Sequence, residues 1–174
     1  MVGYLGGHLY SVEDVTRMSR EVATKVNDTF RPDLVVGILN DGALPALEMA
    51  DALGMPVDFI EIKRSFGYSP PILVGRMSSK VRGNRSVLLV DDVFDSGRTA
   101  NVGRSYIEEQ GCGRVMTAVL NFMETGEKTF HRKAPDFWAI RDDYSCFPWR
   151  TISPHRADYD AYLLRKGFVQ GVRQ

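Results

Sequence analysis

The stretch Ser86-Val-Leu-Leu-Val-Asp-Asp-Val-Phe-Asp-Ser-Gly-Arg-Thr99 opens on Ser86 to Val90, whose aliphatic and β-branched residues suit a strand covered on both faces. Two acids, Asp91 and Asp92, follow at once. Past them, Asp95, Ser96 and Gly97 lead into a helical pattern that starts at Arg98 or Thr99, runs to Gln110 and is ended by Gly111. A buried strand, a polar loop and a helix in that order form one half of a βαβ unit.

The same pattern recurs on either side. Leu34-Val-Val-Gly-Ile-Leu39 is a second continuous apolar run, broken by Asn40-Asp41-Gly42. Residues 43–53 then predict a short helix stopped by Gly54, and residues 57–62 the next strand. Near the start, Ser11-Val-Glu-Asp14 resembles a capping box, with Val12, Val15, Met18 or Ser19, Val22 and Val26 at helical spacing to about Asp28. Residues 114–120, 137–140 and 145–147 predict further strands, and residues 157–166 a terminal helix. Residues 63–85 differ, because Gly67, Pro70, Pro71, Gly75 and Gly83 interrupt every pattern and only Pro71-Ile-Leu-Val74 is extended. They predict a long mobile arm. The expectation is one α/β domain over residues 1–174, a central, mostly parallel sheet flanked by helices, without internal repeat or linker.

Composition narrows the function classes. With 174 residues, 44% hydrophobic and 25% charged, the chain can bury a core, which excludes disorder and disulfide-scaffold readings. Lys+Arg and Asp+Glu both count 22, so no global field draws the protein to nucleic acid or to an anionic membrane, and any polyanion site is local. The longest apolar run, Leu34 to Leu39, falls far short of the roughly 20 residues that span a bilayer. No export signal is recognisable, and a cytoplasmic protein with reduced thiols is expected. Cys112 and Cys146 form no CxxC pair, and His8, His131 and His155 have no ligand spacing, so a zinc centre is not supported.

In open α/β sheets, ligands bind beyond the carboxyl ends of the strands. Asp91 and Asp92 stand at such an end, where adjacent carboxylates accept hydrogen bonds from a vicinal diol such as a ribose presents and help hold a divalent cation. Asp95, Ser96, Gly97, Arg98 and Thr99 supply hydroxyls, a glycine and the N–H groups of a helix start, which together suit a phosphate. The chain has no GxxxxGK[ST] and no GxGxxG, so ATPase and dinucleotide readings lose their usual support.

Val87 to Thr99 resembles the signature of the type I phosphoribosyltransferases, which use 5-phosphoribosyl-1-pyrophosphate (PRPP). The resemblance implies that Asp91 and Asp92 hold the ribose hydroxyls and help organise Mg2+, that the loop from Asp95 to Thr99 wraps the 5′-phosphate, and that Asp95 accepts or relays the proton of the incoming base. Phe94 would lie against the base or serve the core. Leu34 to Leu47 is similar to the family's pyrophosphate loop, assigning Asn40, Asp41, Gly42 and Ala43; purine-using relatives often carry Arg or Lys then Gly where Asn40 and Asp41 stand. Residues 63–85 correspond to the family's flexible catalytic loop, and Lys63, Arg64, Arg76, Lys80, Arg82 and Arg85, with no acid among them, would add charge over pyrophosphate.

Residues 142–150 look like the hood segment of xanthine-guanine and related purine phosphoribosyltransferases. Residues from about 121 to 156, with the N-terminal segment, would form this small hood. It implies that Tyr144 stacks on the base, that backbone groups of Cys146 or Phe147 read base edges, and that Met123 stands near where relatives place a lysine. Lys128 is a candidate substitute from the same loop, and Arg150 stands where relatives carry the acid after Pro-Trp. Trp149 is read as a packed core aromatic at least as readily as a site residue. The activity implied is Mg-dependent transfer of the phosphoribosyl group to a nucleobase, most readily a purine, by positioning and charge stabilisation rather than by a protein nucleophile. Implied partners are PRPP and a nucleobase, with a homodimer and no nucleic acid or membrane. The competing readings are a non-catalytic PRPP-binding regulatory protein and a receiver-type phosphoacceptor domain.

Overall fold

The computed structural model describes residues 8–63, 71–78, 86–123, 134–141 and 145–151. In chain order the elements are β1 (His8–Leu9), α1 (Val12–Thr29), β2 (Leu34–Leu39), α2 (Ala43–Leu53), β3 (Val57–Lys63), β4 (Ile72–Gly75), β5 (Ser86–Phe94), α3 (Arg98–Glu109), β6 (Arg114–Phe122), β7 (Phe137–Arg141) and β8 (Ser145–Cys146), followed by a 3-10 turn, Pro148–Thr151. Six strands form one sheet in the order β4-β3-β2-β5-β6-β7, parallel except where β4 runs antiparallel to β3. This is the open α/β architecture expected from the sequence. The predicted terminal helix at 157–166 lies outside the described residues.

The apolar runs are continuous because each strand of the sheet centre is covered twice. Leu34, Val36 and Ile38 of β2 and Val87 and Leu89 of β5 pack with Tyr106 and Ile107 of α3. Their alternates Val35, Leu88 and Val90 pack with Val15, Val22 and Val26 of α1 and Ala46 and Met49 of α2. So α1 and α2 cover one face and α3 the other. The chain leaves β2 through α2 toward β3, and leaves β5 through α3 in the opposite direction toward β6. Neighbours β2 and β5 therefore flank the point where the winding reverses, and the loops after both strands open into one crevice.

One detail departs from the sequence reading and one extends it. β5 does not end at Val90 but runs through both acids to Phe94, because its ladder with β6 continues through Asp91 opposite Val119, Val93 opposite Asn121 and Phe94 opposite Phe122. The extended piece expected at Pro71–Val74 is β4, which pairs with β3 as a sheet edge; beyond it Met77 is buried against the α3-side core, and the Ser78 N–H donates to Asp58 Oδ2 at 2.9 Å. Nonlocal pairing overrides the local Gly and Pro content there.

α1 begins with the expected capping box. Ser11 Oγ accepts from the Asp14 N–H, and Asp14 accepts from the Ser11 N–H. That backbone hydrogen bond, then Arg17, holds the Asp14 carboxyl below the usual carboxylate range.

Gly37 of β2 is required by the approach of α2. A Cβ there would lie 2.7 Å from the Ala46 Cβ and 2.9 Å from the Phe59 ring. Gly37→Ala is expected to lower stability by about 1–3 kcal/mol through overpacking, read as a lower midpoint in chemical denaturation; an unchanged midpoint contradicts this packing.

Candidate active site

Asp91 and Asp92 lie side by side inside the end of β5, 4% and 0% exposed. The Asp92 N–H donates to Asp91 Oδ1 at 3.0 Å, so the backbone itself fixes one carboxylate relative to the other. The Trp149 Nε1–H donates to Asp92 Oδ2 at 3.0 Å from the turn after β8. Burial without such donors would be costly for a carboxylate; both acids are hydrogen-bonded, but Asp92 Oδ1 is buried and meets no donor among the described residues.

Two helix N-termini flank this pair. α3 starts at Gly97, in the left-handed region with φ 70°, and α2 starts at Gly42; neither has a side-chain cap, unlike α1. At α3 the uncapped first-turn N–H groups and the helix dipole favour an anion; at α2 the dipole does so, with Leu44 the first-turn N–H not already used, since Gly42 and Ala43 donate within the turn and Pro45 has no N–H. Gly97 is also closely packed, since a Cβ would meet the Phe94 ring at 2.5 Å. Asp95 is exposed at the tip of this loop, Ser96, Arg98 and Thr99 are half-buried, and Arg98 Nε donates to Ser96 Oγ at 3.4 Å.

The turn after β2 is built differently from a simple N–H cradle. The Leu39–Asn40 peptide is cis. The N–H groups of Gly42 and Ala43 donate to the carbonyls of Ile38 and Asn40 at 2.9 and 3.2 Å, so these two residues shape the turn. Asn40 is exposed and Asp41 half-buried at its crest. Gly42 has no room for a side chain: a Cβ would lie 2.7 Å from the Ile38 carbonyl oxygen, 2.8 Å from that of Val90 and 3.0 Å from the Asp91 Cα. The glycine brings the turn directly against the acids.

The residues assigned to the base divide. Met123 follows β6 and is half-buried, its N–H donating to the Phe94 carbonyl at 2.9 Å, and so stands beside the 95–99 loop. Phe94 takes the core role, its ring packed edge-on to Phe122 at 5.8 Å with Ala100 and Val119 around it. Phe147 is wholly buried and stacks on Tyr10, while the Cys146 carbonyl accepts the Tyr10 N–H at 2.9 Å as β8 pairs with β1. Those groups hold the N-terminal segment to the 145–151 segment, so the Phe147 ring and the Cys146 carbonyl serve the packing of β8 against β1. Lys63 is exposed at the end of β3. Arg64, Lys80, Arg82, Arg85, Lys128 and Tyr144 lie outside the described residues.

Two contacts at the site join residues far apart in the chain. Trp149 touches an acid of the pair, and Asn121, buried at the end of β6, donates to Ser145 Oγ at 2.9 Å, fastening β8 beside the sheet. The one sequence signal for Trp149 is the Pro-Trp that follows the short strand.

The chain belongs to the phosphoribosyl transferase domain family, whose model matches residues 8–151, and it is a type I phosphoribosyltransferase. Its fold is similar to that of a purine phosphoribosyltransferase from Pyrococcus horikoshii Ot3, with 24% identity, 83% of this chain and 95% of that chain covered, and a TM-score of 0.72. It also resembles a xanthine-guanine-hypoxanthine phosphoribosyltransferase from Helicobacter pylori (14% identity, 91% and 99% covered, TM-score 0.66) and a protein from Neisseria gonorrhoeae solved with bound ppGpp (20%, 94% and 99%, TM-score 0.64). At these identities the likenesses establish the fold. No curated protein sequence matches the chain. Among the described residues, no helix is long and apolar enough to cross a membrane.

The contact of Gly42 with β5 gives a test. Gly42→Ala is expected to displace the turn from Asp91 and to lower phosphoribosyltransferase kcat/KM by about ten- to a hundredfold, measured by pyrophosphate release. Unchanged kcat/KM contradicts the coupling of turn and acids.

Proposed function

We propose that this phosphoribosyltransferase transfers the 5-phosphoribosyl group of PRPP to a ring nitrogen of a purine, giving a nucleoside 5′-monophosphate and pyrophosphate. The buried pair Asp91 and Asp92, set between two uncapped helix starts, is the observation that carries the reading. A ribose diol is the group whose two donors match two fixed carboxylates, and phosphates on either side of it match the two helix ends. The likeness in fold to purine phosphoribosyltransferases supports a purine as acceptor.

Asp91 and Asp92 accept the ribose hydroxyls, while the loop of Asp95, Ser96, Gly97, Arg98 and Thr99 binds the 5′-phosphate at the start of α3. The turn of Asn40, Asp41, Gly42 and Ala43, with Lys63 and Arg64, faces pyrophosphate. Asp95, exposed at the loop tip, accepts the proton that the base nitrogen loses as its bond to the sugar forms. Met123 and Tyr144 contact the base. Residues 1–174 act as one catalytic domain, with the 63–85 arm closing over pyrophosphate, and residues from about 121 to 156 with the N-terminal segment as the hood. The protein works in the cytoplasm, as a homodimer.

Mg2+ fits the donor set. It takes one or two carboxylates and completes its shell with water and substrate phosphate, and among the described residues no larger group of His, Cys, Asp or Glu is placed to hold a metal. Asp91 and Asp92 would hold the ion that arrives with PRPP, and it would neutralise charge on the departing pyrophosphate. The chain's own part is to orient the sugar, exclude water and place Asp95 at the base nitrogen.

Pyrophosphate release from PRPP with magnesium, compared across guanine, hypoxanthine, xanthine, adenine, uracil and orotate, tests the reading. Release with a purine and not with uracil or orotate is expected. Release only with a pyrimidine overturns the acceptor, and PRPP binding without turnover on any base favours a regulatory PRPP-binding protein. Asp91→Asn with Asp92→Asn is expected to weaken PRPP binding at least about a hundredfold without unfolding the domain; intact affinity in the folded double variant overturns the site.

A further inference from the structure

Trp149 lies in the short turn after β8 and has no role in the reaction as set out above. Its Nε1–H donates to Asp92 Oδ2 at 3.0 Å, and its ring stacks on Phe147 with centroids 5.1 Å apart and planes at 16°. Phe147 is wholly buried and stacks in turn on Tyr10 at 5.4 Å. The indole is thus held from behind by a ring stack rooted in the core that also contains α1 and α2.

The choice of donor matters. A lysine or arginine in this place would neutralise Asp92, whereas an indole offers a single N–H, carries no charge and cannot accept. It orients the carboxylate and leaves its negative charge to meet hydroxyls or a cation. The contact joins residues 57 positions apart, one on the sugar side of the crevice and one on the segment assigned to the base.

We propose that Trp149 is a positioning residue for PRPP: it fixes the rotamer of Asp92 and ties that carboxylate to the 145–151 segment. The proposal rests on the functional reading above, in which Asp92 meets the ribose. Its consequence is that the base side and the sugar side of the crevice are set by one hydrogen bond, so that displacement of the segment weakens PRPP binding.

Trp149→Phe retains an aromatic ring for the stack and removes the donor. With magnesium present, the dissociation constant for PRPP by calorimetry and the KM for PRPP are each expected to rise about tenfold, while kcat stays within about twofold. A merely structural role would lower the melting temperature and the active fraction without moving KM. Folded W149F with wild-type affinity and KM overturns the proposal alone; wild-type protein that fails to bind PRPP overturns the functional reading and the proposal with it. If W149F does not fold, the indole N–H resonance of Trp149, assigned by its persistence in W138F, decides. It is expected to shift on saturation with Mg-PRPP, and an unmoved resonance overturns the proposal.

Discussion

A carboxylate removed from water costs several kcal/mol unless hydrogen bonds replace the solvent it loses, and Asp92 is fully removed from water at the end of the central strand. Much of the crevice can be understood as the answer to that constraint. The strand does not stop at Val90 but carries both acids in its ladder with β6, and the Asp92 N–H ties them together. Gly42 lets the turn after β2 lie against the Asp91 Cα, and the indole of Trp149 supplies a donor from across the crevice. These contacts hold the two carboxylates in register, while Asp92 Oδ1 stays buried with no hydrogen-bond donor on it among the described residues.

The surrounding electrostatics work without net charge. The chain is formally neutral, and the pair itself is negative, so attraction for phosphate has to come from local sources. Two helix starts, at Gly42 and Gly97, provide partial positive charge on either side of the acids, and both lack the side-chain cap that closes α1. In the proposed reaction the basic residues between 63 and 85 add to this only where pyrophosphate accumulates. Such division of labour suits a reaction in which charge moves from sugar to leaving group.

The sequence disclosed most of this where local pattern and tertiary role coincide. β2 and β5 were legible because strands buried on both faces are apolar without interruption, and the acids after Val90 were legible because polar residues rarely follow such a run without purpose. Helix ends marked by Gly54 and Gly111 were equally readable, both glycines having positive φ. What was not legible depends on partners distant in the chain. The extended piece at 71–74 was legible, but not that it joins the main sheet by antiparallel pairing with β3. Phe94 read as base contact or core, and its ring lies in the core; the tie from the Cys146 carbonyl and the Phe147 ring to Tyr10 could not be seen in sequence. Trp149 read equally well as core because nothing in its neighbourhood announces Asp92.

The most direct test of the account is a crystal structure of the protein with PRPP and magnesium. The account predicts both ribose hydroxyls within hydrogen-bonding distance of Asp91 and Asp92, and the 5′-phosphate at the N–H groups that open α3. PRPP bound with its ribose away from the two acids, or with its 5′-phosphate at the turn after β2, would contradict it.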